Sequence, residues 1–169
     1  MDTLGRWATS LRFRLLAATL AALALALLLA GLFLGGLFRE HVLRQFQTTL
    51  TQQLDQLTAR LEFDAAGQPL IDPLALSDPR WQKPYSGLYW QIDRVSTNGQ
   101  ASSGVLRSRS LWDTSLTLTS DLLPDGAVHV HEGSGPEGVR LLILERTVRT
   151  AEQPDAPWRL IVAGDLRET

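Results

Sequence analysis

Two hydrophobic rhythms divide this chain. From Leu15 to Phe38 all 24 positions are uncharged, and Thr19 carries the only hydroxyl. At about 1.5 Å rise per residue, roughly 20 residues cross the ~30 Å hydrocarbon core of a bilayer, so the run is long enough to span it with some tilt. From Leu43 the apolar residues become periodic: Leu43, Phe46, Leu50, Leu54, Leu57 and Leu61 follow at spacings of 3, 4, 4, 3 and 4. That is the seam of a helix lying on a domain or in a coiled coil. No Pro or Gly falls between Leu37 and Ala66, so the membrane helix is expected to run on until Ala66-Gly67-Gln68-Pro69 ends it. From Leu15 to Leu61 such a rod measures about 70 Å.

A third rhythm follows a segment punctuated by Pro73, Pro79 and Pro84. Gly87 to Val95 reads as a strand rich in aromatic and β-branched residues. Asn98-Gly99 is a turn signal, and Val105 to Trp112 reads as the second strand. Pro124-Asp125-Gly126 marks another turn before Ala127 to Glu132. The stretch Gly133-Ser-Gly-Pro-Glu-Gly138 turns the chain again into Val139 to Val148, and Trp158 to Ala163 closes the set. Five short strands after a helix predict an α+β fold: an antiparallel sheet with the long helix packed on one face.

The flanks orient the span. Arg6, Arg12 and Arg14 precede it against Asp2, whereas Arg39 and Arg44 follow it beside Glu40, which favours a cytoplasmic N-terminus. Residues 1–14 are then cytoplasmic, 15–38 transmembrane and 39–169 outside. Small residues at Ala30 and Gly31 raise signal-peptide cleavage as an alternative, but the run exceeds the ~7–15 apolar residues of such a segment. The pattern Gly31-Leu-Phe-Leu-Gly35 permits close approach of two spans. For the outer seam two readings stay open: packing on the domain's own sheet alone, or a parallel homodimer contact as well.

Composition narrows the partners. The chain carries −2 overall, and setting aside Asp2, Arg6, Arg12 and Arg14 leaves the outer part at −4 with no basic run, which argues against nucleic acid. Cysteine is absent, so no disulfide is expected. On the second strand, alternation places Arg107 and Arg109 on one face with Val105 and Leu111, and Ser108, Ser110 and Trp112 on the other. Paired guanidiniums suit capture of carboxylate or phosphate. With Tyr89 and Gln91 they are candidates for a small-anion pocket, and the structural alternative is pairing with Asp93 or Glu145. Alternation likewise puts His129 and His131 on one face and turns Val128 and Val130 to the core. The two imidazoles are candidates for metal binding with Glu132 or Glu137, for proton sensing, or for plain solvent exposure. The aromatics Trp81, Tyr85, Tyr89, Trp90 and Trp112 read as packing residues.

The motifs Tyr85-Ser-Gly-Leu-Tyr-Trp-Gln-Ile92 and Leu106-Arg-Ser-Arg-Ser-Leu-Trp-Asp113 resemble the periplasmic sensor regions of proteobacterial two-component sensor histidine kinases of the PhoQ-like kind. The opening Ser10-Leu-Arg-Phe-Arg-Leu15 and the late Val162-Ala-Gly-Asp165 fit the same pattern. The resemblance implies a PAS-like periplasmic domain on an inner-membrane anchor, a homodimer, and an unidentified ion, small-molecule or protein stimulus. It also implies a second span and a kinase core beyond Thr169, with ATP and Mg bound there and a response regulator as partner. The family's phosphorylated histidine, ATP-binding asparagine and glycine-rich lid have no counterparts among these 169 residues, so no catalytic residue and no cofactor is expected in the chain itself. The dense acidic surface associated with divalent cations in such sensors is also missing: Asp113, Asp121, Asp125, Glu132 and Glu137 are scattered.

Two motifs are refused on physical grounds. His131-Glu-Gly-Ser-Gly-Pro136 matches a phosphoacceptor box, but Gly133 and Gly135 disfavour the helix that such a histidine needs. Gly133 to Gly138 spells G-x-G-x-x-G, but a strand pattern follows where a dinucleotide site needs a helix N-terminus. The rival reading is a single-span anchored binding protein without a kinase. A hydrolase lacks any nucleophile motif.

Overall fold

A computed structural model describes residues 11–95, 102–118, 126–151 and 156–168. The turns expected at Asn98-Gly99 and Pro124-Asp125 lie outside these residues, as do Asp121 and Arg6. The chain falls into two units, Met1–Arg44 and Gln45–Thr169, and one helix, α1 (Leu11–Ala59), contributes to both.

In the first unit α1 is long and apolar enough to cross a membrane, and none of its most apolar 18-residue window is buried. The one hydroxyl between Leu15 and Phe38 is satisfied within the helix, because Thr19 Oγ1 reaches the carbonyls of Leu15 at 3.1 Å and Leu16 at 2.9 Å. Gly31 and Gly35 have no atom within 4 Å of where a Cβ would stand.

The second unit begins with the last turns of α1. The helix stops at Ala59, seven residues short of the expected Ala66. The reason is local: the Asp64 carboxylate accepts the N–H groups of Ala66 and Gln68, both at 2.8 Å, and Gly67 adopts φ 71°. Those bonds close a tight turn that pairs β1 (Glu62–Phe63) with β2 (Pro69–Leu70). Leu61 therefore lies past the helix, yet it still packs on the core. Two 3-10 turns follow, Pro73–Ala75 and Pro79–Gln82. Each is opened by an aspartate cap (Asp72, Asp78) and a proline in the first position.

Five strands form one antiparallel sheet: β3 (Leu88–Arg94), β4 (Ser102–Arg107), β5 (Val128–Ser134), β6 (Arg140–Val148) and β7 (Trp158–Asp165), in the order β4-β3-β7-β6-β5. Leu50, Leu54 and Leu57 of α1 are fully buried in one cluster with Trp90, Ile92, Leu144, Leu160 and Val162. Each such leucine contributes about 2 kcal/mol by leaving water. Arg146 of β6 ties the helix end to this face, with Nη2 donating to Asp55 Oδ1 at 2.7 Å and Nη1 to Thr58 Oγ1 at 3.1 Å. The other face carries Tyr89, Leu141, Ile143, Ile161 and Ala163, covered by Leu111 and Leu116 from the segment after β4. Both faces of β3 and β7 are thus covered, so their apolar residues and the polar Gln91, Asp93 and Arg159 alike are buried.

Two strand expectations need correction. The second strand ends at Arg107, and Arg109–Leu111 is a 3-10 turn rather than a continuation to Trp112. Val128 packs against the core, but Val130 is 39% exposed because β5 is the sheet edge. The glycines of the refused motifs have a packing reason. A Cβ at Gly133 or Gly135 would meet the side chains of Ile143 and Leu141 respectively, so any larger residue in this hairpin requires those side chains to shift.

Candidate functional site

The turn after β4 is where the sequence pattern and the backbone part ways. Ser108 and Ser110 are buried and hold the turn to β3: Ser108 Oγ accepts the Trp90 N–H at 3.1 Å, and Ser110 Oγ donates to the Leu88 carbonyl at 2.7 Å. Leu111 is fully buried beneath them. The 3-10 step then rotates the next side chains outward, so Arg107, Arg109, Trp112 and Asp113 all stand exposed. Alternation had put Arg109 with Leu111 and Trp112 with the serines. A change from a period of two to a period of three reverses that assignment.

These four outward residues line a surface pocket of about 400 Å³. The Arg109 guanidinium lies 5.4 Å from the Trp112 ring centroid, and Arg107 Nη1 donates to the Thr114 carbonyl at 3.2 Å. Asp113 Oδ1 accepts the Tyr85 hydroxyl at 2.8 Å, and that bond to a carboxylate raises the Tyr85 phenol above its ordinary pKa. Neither arginine pairs with Asp93 or Glu145. Two cations and one anion therefore share one small concavity beside a half-exposed indole.

Trp112 holds an unusual backbone. Its φ of 54° and ψ of −108° are those of the first central residue of a type II′ turn, and the Thr114 N–H to Leu111 carbonyl bond at 3.0 Å closes that turn. Glycine normally occupies this position, and a side chain there costs about 1–3 kcal/mol.

Tyr89 and Gln91 are not part of the lining. Gln91 is fully buried: its Nε2 lies 2.8 Å from Asp93 Oδ1 and 2.9 Å from the Leu116 carbonyl, while its Oε1 accepts the Leu116 N–H at 2.8 Å. It fastens the covering segment to the sheet. Tyr89 is buried in the second-face cluster, where its hydroxyl accepts the Gly87 N–H at 3.3 Å. Trp112 and Asp113 complete the pocket in their place. The signal for them was present in the Arg-Ser-Leu-Trp-Asp run, but the strand reading hid it.

A second polar group of residues lies across the sheet's second face. Asp93 stands opposite Arg159, Arg159 Nε is 3.5 Å from Glu145 Oε2, and His131 Nδ1 is 3.7 Å from Glu145 Oε1. Burial pushes the Asp93 carboxyl above its usual pKa, opposed by the Gly104 N–H at 2.7 Å, the Gln91 amide and the Arg159 charge. Gly104 takes φ 69° at a break in the β3–β4 register, which aims its N–H at this carboxylate. His129 lies opposite Glu145 and His131 opposite Ile143, so both share that face. Of the suggested oxygen donors, Glu132 pairs with Arg140. Among the described residues no three His, Cys, Asp or Glu side chains converge as a metal site.

In the helix seam, Leu50, Leu54 and Leu57 are buried by the chain's own sheet, with Phe46 and Leu61 packed beside them, and Leu43 is half-buried. The outward positions Gln45, Thr48, Gln52 and Asp55 are polar. Comparison of the chain with protein-family models, with curated proteins and with solved structures finds no match in any of the three.

Proposed function

We propose that this chain is a membrane-anchored, extracytoplasmic sensing module: the input half of a two-component sensor histidine kinase in a bacterial inner membrane. The observation that carries the reading is α1 itself. One uninterrupted helix is bare and membrane-length at its beginning, and fully buried at Leu50, Leu54 and Leu57 near its end. A helix built so couples whatever happens in the sheet domain to the bilayer. The antiparallel order β4-β3-β7-β6-β5, with the first and last strands of the five adjacent, supports the PAS-like part of the reading.

In this reading a stimulus favours one of two packings of the sheet on α1, and the helix carries the difference inward. Homodimer contacts fall to the span, around Gly31 and Gly35, because the outer seam is used within the chain. The kinase core and its response regulator rest on the resemblance of the two strand motifs.

The chain's lack of cysteine gives a direct test. Ser10→Cys and Ser134→Cys variants, expressed in bacteria, are treated with a membrane-impermeant maleimide before and after lysis. The expected result is that Ser134→Cys is labelled in intact cells and remains with the membrane fraction, while Ser10→Cys is labelled only after lysis. Labelling of Ser10→Cys in intact cells overturns the orientation. A shortened, soluble Ser134→Cys product overturns the anchor.

A further inference from the structure

The pocket after β4 has a charge and shape that select its ligand. Its lining holds two guanidiniums against one carboxylate, and that carboxylate already accepts the Tyr85 hydroxyl. The balance of the lining is one positive charge, so a monoanion neutralises it. Arg107 spends only Nη1 on the Thr114 carbonyl, which leaves its Nε and Nη2 for a planar acceptor. A carboxylate matches this fork by taking two parallel N–H bonds. Beside it, Trp112 is 51% exposed while one side of its ring faces Arg109. Half of a large indole thus remains open to water at the edge of the pocket, held there by a backbone conformation that disfavours any side chain. An exposed aromatic maintained against its own backbone preference points to use as a contact surface.

We propose that this pocket binds a small organic monocarboxylate with a flat, apolar body: the carboxylate on Arg107 and Arg109, the body against Trp112. Its volume of about 400 Å³ falls within the range of small-molecule sites. The serine and leucine anchors explain why the geometry is preformed. Ser108, Ser110 and Leu111 fix the turn to β3, so the three ligand-facing side chains project from a rigid base. As the stimulus site of the sensing module the pocket rests on the reading above, but binding itself does not require that the module signal.

The test is calorimetry on the full chain in lipid nanodiscs, with empty nanodiscs as the blank and benzoate, acetate and inorganic phosphate as probes. Benzoate is expected to bind at least about tenfold more tightly than acetate. Arg107→Gln and Arg109→Gln should each weaken benzoate by about tenfold or more, while each lowers the unfolding temperature by only a few degrees through its one lost exposed contact. Trp112→Ala should close most of the gap between benzoate and acetate. Phosphate binding as tightly as benzoate would show a site that reads charge alone and overturn the proposal. So would the absence of binding by every probe at millimolar concentration, or wild-type affinity in both arginine variants. None of these failures touches the maleimide result, which judges the anchored reading separately.

Discussion

Phe46 of α1 rests directly on Gly164 of β7: a Cβ at position 164 would stand 2.5 Å from Phe46 Cζ and 3.0 Å from Leu50 Cδ2. The helix approaches the sheet this closely only because that residue has no side chain. Gly164→Ala is therefore expected to overpack the interface and cost about 1–3 kcal/mol. For a domain of this size that lowers Tm by about 2–4 °C per kcal/mol. Phe46→Leu in the same chain should restore part of the loss, because it removes the ring atom that collides. Thermal unfolding followed by circular dichroism checks both. Additive losses in the double variant would mean that the two residues do not meet.

Asp93 sets a pH dependence opposite to that of Asp78 and Asp165. Burial raises its native pKa above 3.8, so the native state holds its proton more tightly than the unfolded state does. Its contribution therefore weakens stability as the pH rises from about 3.8 through the raised native value. Asp78 and Asp165 behave in reverse. Side-chain hydrogen bonds from Arg80 and Arg167 hold them below 3.8, so their contribution is present above that pH and is lost as the pH falls through the native values. Asp93→Asn keeps an acceptor for the Gly104 N–H and removes only the charge. Wild type should accordingly lose stability relative to this variant as the pH is raised from about 4 toward neutrality. A difference in Tm that stays constant across that range contradicts the assignment.

Much of this architecture was legible in the pattern of side chains, and each exception has its own local cause. β3 announced itself by its aromatic and β-branched residues and β6 by the apolar run from Val139 to Val148, and the spacing of Leu50, Leu54 and Leu57 located the buried helix face. The end of α1 did not show, because Asp64 ends the helical region through bonds to Ala66 and Gln68 that compete with backbone pairing. The pocket was half visible: Arg107 and Arg109 stood out by charge. Their companions depended on a single 3-10 turn, and no periodicity of two foretells a step of three. Val130 failed for another reason, since alternation shows which residues share a side of a strand but not that the strand is an edge.

Gln52 lies on the exposed face of α1 between buried Leu50 and Leu54. Proline there removes one helical N–H and drives its ring against the carbonyl four residues earlier, at a cost of about 3 kcal/mol or more. Gln52→Ala, which keeps the helix, should be neutral within about 0.5 kcal/mol. Under the proposed sensing role, Gln52→Pro in a full-length receptor should also uncouple stimulus from output, because it interrupts the helix through which the signal is proposed to pass. Output that still follows the stimulus in a folded Gln52→Pro receptor would remove helix displacement as the route of transmission.

Trp112 offers the sharpest check on the pocket, because its backbone and its side chain pull in opposite directions. At most exposed positions glycine is less stable than alanine by about 0.5–1 kcal/mol, through the freedom it has when unfolded. At φ 54° and ψ −108° the order should invert, since alanine keeps the steric conflict that glycine escapes. Both variants lose the Arg109–Trp112 contact equally, so the comparison between them isolates the backbone. Trp112→Gly should therefore unfold at a higher temperature than Trp112→Ala, by an amount corresponding to about 1–2 kcal/mol. Both should lose the preference for benzoate over acetate, so the glycine variant would be the more stable protein and the poorer binder. An alanine variant at least as stable as the glycine variant would mean that the turn does not hold Trp112 in this conformation. The argument that strain keeps the indole exposed for a ligand would then fall with it.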